Sequence, residues 1–305
     1  MRSLADTLRI GTRDSKLAVW QASQVKDKLE QLGYACTLVF VKSPADRDLT
    51  TPLYQFGGTG IFTKVLDDAL LQNEVDLAVH SLKDYPTLAP EGIIMAAVME
   101  RGPHEDVLVF KDRPTLKDKQ QTIATGSIRR TAQWKNRYPN HTITGLRGNV
   151  QTRLQKLEDN NWHGAIFARA GLFRVNLLPE NHQVLDWMIP APAQGVIGIA
   201  CRQDHELLKQ VLTQLNHKTT ELTSLVERSF LRTLEGGCSA PIGALAWVEG
   251  STLYFKGGLF APDGSQRILV DKKVNISEAS GIGIAAAHEV LERGGSEIMQ
   301  NIKNA

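Results

Sequence analysis

The chain has 305 residues, with 35 Lys plus Arg against 33 Asp plus Glu and a formal net charge of +2. That near-balance argues against a nucleic-acid binder, which shows a basic excess or a basic run. Its length predicts two or three compact units, 42% apolar content is enough for real cores, and no apolar run reaches the ~18 residues of a membrane span.

Strand-like and helix-like segments alternate from the start. Leu8–Thr12 reads as a strand, and Lys16–Leu32 as a helix with Leu17, Trp20, Val25 and Leu29 near one face, closed by Gly33. Thr37–Lys42 is strand-like. Phe62, Val65, Leu66, Ala69 and Leu70 follow the spacing of an amphipathic helix, and Asp76–Leu82 has the mostly apolar character of a buried parallel strand. After Pro103 the pattern restarts. Asp106–Phe110, Thr122–Thr125, His141–Leu146 and Gly164–Ala168 are strand candidates, with helices at Ile128–Arg137 and Val150–Glu158. Gly195–Cys201 is a further apolar strand that can return to the first sheet. This alternation predicts two βα sheets.

The last third differs in kind. Leu222–Leu234 is a helix in which Leu222, Val226, Phe230 and Leu234 recur every fourth residue. Three strands follow, Ala244–Val248, Leu253–Leu259 and Arg267–Val274, split by turn signals at Glu249-Gly250 and Ala261-Pro262-Asp263-Gly264. A helix over about Glu278–Arg293 covers this small antiparallel sheet.

Arginines recur where strands hand over to helices: Arg13, Arg129, Arg130, Arg147, Arg153, Arg169 and Arg174. Ligands of open α/β sheets bind beyond the carboxyl ends of strands, where helix N-termini favour anions. The planar Arg fork pairs bidentately with carboxylate or phosphate. Singly these are ordinary surface residues; as a set they predict a ligand with more than one acidic group. Lys83-Asp84 ends an apolar strand just before Tyr85-Pro86, which puts a carboxylate at the ligand edge of a sheet, able to take an N–H and stabilise a developing cation. The plainer reading is a solvated charge pair capping a turn. His80 reads as a packed histidine.

Of the three cysteines, Cys36 and Cys201 lie in apolar strand contexts and read as core. Cys238 sits in the glycine-rich turn Glu235-Gly236-Gly237-Cys238, where it is either a reachable covalent attachment point or a plain loop cysteine. Their odd number and spacing match no zinc or CxxC pattern and point to a reducing compartment without a structural metal. With no signal-like apolar run near the start, the expected location is the cytoplasm.

Seven segments, in order, carry a specific resemblance: RIGTRDSKLAVWQA, VHSLKDYPT, GSIRRTAQ, LRGNVQTRL, AGLFR, PAPAQGVIGIACR and LEGGCSAPIGA. From about Leu8 to Gly243 the chain resembles the porphobilinogen deaminase (hydroxymethylbilane synthase) family. The resemblance implies an α/β fold of three domains. Two are periplasmic-binding-protein-like and flank a cleft, and the third is a small C-terminal α+β domain with a three-stranded antiparallel sheet. Their implied bounds are 1–99 with 195–216, then 100–194, then 217–305.

It implies a transferase of haem and porphyrin biosynthesis that joins four porphobilinogen molecules head to tail, with loss of ammonia, and releases the linear tetrapyrrole by hydrolysis. The implied primer is a dipyrromethane cofactor held as a thioether by Cys238. Asp84 and Lys83 are the implied catalytic residues, and both also serve the cofactor with Ser127, Arg129, Arg130, Arg147 and Gly171. Arg13, Ser15, Arg147, Arg153, Arg174 and Gln194 are the implied substrate-binding set. The family also implies a monomer, with no nucleic acid, membrane or metal partner. The other readings are a binder of an anionic small molecule without chemistry, or a catalytically weakened member. Gln55 and Thr59 stand where the family usually carries lysines, Ser43-Pro44-Ala45-Asp46 replaces its usual threonine-arginine-glycine-aspartate, Gly126 stands for serine, and Ala200 for glutamate. Losing the two lysines predicts weaker hold on the cofactor or growing chain.

Overall fold

The computed structural model describes residues 7–42, 61–112, 120–234 and 240–304. The chain opens with β1 (Leu8–Thr12), α1 (Lys16–Gln31), β2 (Cys36–Phe40), α2 (Ile61–Leu71), β3 (Leu77–Ser81) and β4 (Ile93–Val98). It continues through β5 (Asp106–Val109), β6 (Thr122–Ala124), α3 (Ile128–Arg137), β7 (Thr142–Thr144), α4 (Val150–Asp159), β8 (Gly164–Ala168), α5 (Arg169–Arg174) and β9 (His182–Val184). Then come β10 (Ile197–Arg202), α6 (Glu206–Thr213), α7 (Lys218–Thr233), β11 (Ile242–Glu249), β12 (Thr252–Phe260), β13 (Arg267–Asn275), α8 (Ile282–Val290) and α9 (Ser296–Lys303). Two compact units result, one of residues 1–102 and 195–221, the other of 103–194 and 222–305.

The first unit is built on a five-stranded sheet of order β2-β1-β3-β10-β4. β1 runs parallel to β2 and β3, whereas the returning β10 is antiparallel to both β3 and β4. Helices cover both faces, because the strands alternate their side chains between two apolar layers. Ala22, Val25 and Leu29 of α1 and Leu208, Val211 and Leu212 of α6 pack one layer. Leu66, Ala69 and Leu70 of α2 pack the other, with Ala78, Ile93 and Ala200. Ala200 is fully buried there, in an apolar setting with no use for the glutamate of the family pattern.

The second unit repeats the scheme: its sheet has order β7-β6-β8-β5-β9, with β6 parallel to β7 and β8, and β5 antiparallel to β8 and β9. Val107, Val109, Ala165 and Phe167 face Leu157 of α4 and Leu172 of α5, while Leu108 and Ile166 face Trp134 of α3. The same unit holds the antiparallel sheet β11-β12-β13. Phe230 of α7 is fully buried and meets Phe255 edge-on at 5.2 Å, a burial that stabilises by about 1.5–3 kcal/mol.

Three differences from the sequence reading have plain causes. The helix expected over about Glu278–Arg293 begins later, at Ile282, because Gly281 takes φ +82° after a 3₁₀ turn at Ile276–Glu278, and past its expected end the chain continues into α9 across a kink at Arg293 and Gly294, the latter at φ +100°. β9 has three residues and α5 six, too short for any period to register. β4 is a continuous apolar run, IIMAAV, in a stretch for which no element was expected.

Candidate functional site

In the first unit, β1 runs into Arg13 and Asp14, and Ser15 caps α1 by accepting the Ala18 N–H at 3.3 Å. β3 runs into a single 3₁₀ turn, Leu82–Asp84. Residues three apart eclipse in such a turn. Leu82 and Tyr85 are accordingly both buried, at 2% and 3% exposure, which leaves Lys83 half-buried and Asp84 exposed at the strand's carboxyl end. His80 is buried and burial lowers it to about 3, so it stays neutral near neutral pH. It packs against Tyr85 at 4.7 Å between ring centroids, as a packed histidine does.

In the second unit, the carboxyl ends of β6, β7 and β8 feed three helix starts. Ser127 caps α3 by accepting the Arg130 N–H at 3.4 Å, and Asn149 caps α4 by accepting the Thr152 N–H at 2.9 Å. Neither helix, nor α1, has an acidic residue in its first turn. Arg129 and Arg130 occupy that turn of α3 instead, against a helix dipole that makes a cation there unfavourable by about 0.3–1 kcal/mol.

A carboxylate offsets the conflict. Asp106 opens β5 beside Ala168, the last residue of β8, and is fully buried. Its Oδ1 accepts from Arg130 Nε at 3.0 Å and Nη2 at 2.8 Å, and from Gln194 Nε2 at 3.0 Å. Its Oδ2 lies 2.8 Å from Arg129 Nη1, an ion pair. Burial alone would raise the Asp106 carboxyl, but the two guanidiniums outweigh it and hold it below the usual carboxylate range. Arg129 and Arg130 also donate to the Ile189 and Ile166 carbonyls. Among the described residues, two cations of this cluster thus share one anion.

Arg147 precedes Gly148, whose φ of +113° turns the chain into α4. The Gly148 carbonyl accepts from Arg153 Nε at 2.7 Å, which folds that side chain back over the turn. Gly171 lies in α5, and Arg174 closes that helix, buried and lowered by burial to about 10, still a cation at neutral pH. A Cβ on Gly126 would lie 2.5 Å from the Leu146 carbonyl oxygen, so the backbone leaves no space for serine. Gln194 is buried, donating to the His104 carbonyl as well as to Asp106.

Asp106 is the site residue that the sequence reading passes over. Its signal is an acidic residue heading a wholly apolar strand. Cys238, Gln55, Thr59 and the stretch Ser43–Asp46 lie outside the described residues. Cys36 and Cys201 are buried, and burial pushes both thiols up to about 11, which leaves them inert. Among the described residues no helix is long and apolar enough to cross a membrane.

Two α/β sheets, each with basic side chains at the carboxyl ends of its parallel strands, where open α/β sheets take their ligands, define the class of fold to which this protein belongs. Residues 8–210 match the family model described as porphobilinogen deaminase, dipyromethane cofactor binding domain, and residues 221–292 match the porphobilinogen deaminase C-terminal domain. The chain belongs to the porphobilinogen deaminase family, whose cofactor is dipyrromethane. It is 39% identical over 302 residues to the porphobilinogen deaminase of Pelotomaculum thermopropionicum, covering 97% of each chain. It is 46% identical over 242 residues to the probable porphobilinogen deaminase of Methanocaldococcus jannaschii, covering 78% of this chain and 82% of that one. Likeness to solved structures is slighter: the periplasmic VFT2 domain of Bordetella pertussis BvgS is 12% identical over 68% of this chain and 86% of that one, with a TM-score of 0.41.

The residues present suit a dipyrromethane. Such a group carries carboxylate side chains and pyrrole N–H donors. Guanidiniums at the strand ends of the second unit are of the kind that pairs with carboxylates, and within the first unit Asp84 is an exposed acceptor of the kind that takes an N–H.

Proposed function

We propose that this protein joins four porphobilinogen molecules head to tail, one ammonia lost at each addition, and releases hydroxymethylbilane by hydrolysis. The observation that carries the reading is the buried cluster at the strand ends of the second unit, where Arg129 and Arg130 share the carboxylate of Asp106, together with the strand-end positions of Arg147, Arg153 and Arg174. Each porphobilinogen brings two carboxylates, and a growing chain of them needs many fixed cations.

Cys238 holds the dipyrromethane as a thioether, with Lys83, Asp84, Ser127, Arg129, Arg130, Arg147 and Gly171 as its further cofactor-binding residues. When bound, the dipyrromethane supplies the pyrrole carbon to which substrate units are added. Arg13, Ser15, Arg147, Arg153, Arg174 and Gln194 bind substrate; the guanidiniums fork onto acetate and propionate groups, and the backbone N–H groups at the starts of α1 and α4 add to them. Gln194 contributes through Asp106, on which its amide donates. Asp84 accepts the pyrrole N–H and stabilises the positive charge that develops as ammonia leaves. Lys83 adds a cation beside it. Three domains carry these roles, residues 1–99 with 195–216, residues 100–194 and residues 217–305, in a cytoplasmic monomer with no nucleic-acid partner.

The test is ammonia release from porphobilinogen by the purified protein and by Asp84→Ala. Asp84 is exposed, so the variant folds as the parent does and loses at least about 100-fold in turnover. Near-parental turnover removes Asp84 from the chemistry. Ligand-induced stabilisation without ammonia release from the parent would mean a binder instead.

A further inference from the structure

Behind the Lys83-Asp84 turn lies a buried polar group that the reaction above does not use. Asp67 of α2 is 3% exposed and Tyr85 3% exposed, and the Tyr85 hydroxyl donates to Asp67 Oδ1 at 3.3 Å. On its other side the Tyr85 ring packs on His80, which is 4% exposed. A buried carboxylate on a helix otherwise packed by Leu66, Ala69 and Leu70 is a local conflict, and such conflicts mark places where something other than stability is served.

The turn itself is short and would be loose without anchors. Its backbone is held by the Leu82 N–H on the Val196 carbonyl at 3.0 Å and by the Tyr85 N–H on the Leu82 carbonyl at 3.2 Å. Leu82 fixes one end by apolar burial, which is non-directional. Tyr85 fixes the other end through a directional bond to a separate helix. Since Tyr85 directly follows Asp84, the angle at which the Asp84 carboxylate leaves the sheet depends on where the Tyr85 ring is pinned.

We infer that Asp67 and Tyr85 are positioning residues: their hydrogen bond between α2 and the turn after β3 sets the orientation of Asp84. The inference rests on the functional reading above for its effect on turnover. Burial raises the Asp67 carboxyl to about 6, and the Tyr85 hydroxyl draws it back down, as a bond that favours the ionised form does.

Tyr85→Phe keeps the ring against His80 and removes only the hydroxyl. Its kcat falls roughly 10- to 100-fold with KM within about twofold, because the geometry of a reacting group is disturbed while the carboxylate-binding cations are untouched. Amide hydrogen exchange of residues 83–85 quickens by about tenfold or more, with protection of β1 and β3 unchanged. Asp67→Asn retains an oxygen acceptor and keeps kcat and exchange within about threefold of the parent, whereas Asp67→Leu behaves like Tyr85→Phe. Parental kcat and parental exchange in Tyr85→Phe would overturn the inference, and so would a loss of protection spread evenly through the sheet. A parent that released no ammonia would defeat the functional reading alone, since exchange in residues 83–85 decides the anchor without it.

Discussion

The Asp106 carboxylate and the Arg129 guanidinium approach to 2.8 Å with side-chain exposures of 0% and 6%. Arg130 shares the same carboxylate at 2.8 Å. Removing the anion therefore leaves two buried cations facing each other. Asp106→Ala is expected to lose about 3–5 kcal/mol of stability in denaturant melts at neutral pH. The folded carboxyl is held below its usual range, so its contribution is fully present above the unfolded value near ~3.9 and is lost as pH falls from there towards the depressed folded value. The parent's stability should drop steeply below about pH 4, and that part of the drop should be absent in the variant. A stability difference independent of pH across that range would contradict the ion-pair account.

Asp67 carries the opposite sign. Burial raises its folded carboxyl to about 6, so the folded state binds a proton more tightly than the unfolded chain. Between the unfolded value near ~3.9 and about 6, stability falls as pH rises, and the penalty is complete above that window. Asp67→Asn removes the penalty. The variant should gain about 1–2 kcal/mol on the parent at pH 8, after allowance for solvent screening, and nothing at pH 4. Thermal melts at the two pH values check this, and an equal gain at both would refute it.

Gly148 turns the chain at φ +113°, and a Cβ there would sit 2.7 Å from Thr152 Cγ2 and 2.8 Å from Thr152 Cβ. Its carbonyl also takes the Arg153 Nε hydrogen bond. Gly148→Ala is expected to cost about 1–3 kcal/mol in backbone strain and to raise KM for porphobilinogen by about tenfold, by moving Arg147 and Arg153 together. Steady-state kinetics alongside a melt read both effects. A lost Tm with KM unchanged would separate this turn from substrate binding.

Where one period or one register carried the information, the sequence was legible. Ile128–Arg137 and Gly164–Ala168 occur at the expected residues, because Ser127 and the Arg169 corner mark their ends, and the return of Gly195–Cys201 to the first sheet appears as β10 between β3 and β4. The antiparallel third sheet follows its two turn signals, with Gly250 and Gly264 both at positive φ. What stayed hidden was pairing across distance. Asp106 is 23 residues before Arg129, and Asp67 is 18 before Tyr85, and neither offset has a local signature. The strand-end arginines could be read as a set, but which carboxylate offsets them depends on β5 lying antiparallel beside β8. That is a property of the sheet and not of any window of sequence.

The central claim is a covalent primer on Cys238, and the intact mass of the purified protein under denaturing conditions tests it most directly, with Cys238→Ala alongside. The account predicts an excess equal to two linked pyrrole units in the parent and the bare polypeptide mass in the variant. A bare mass in the parent that stays unchanged after incubation with porphobilinogen would contradict it.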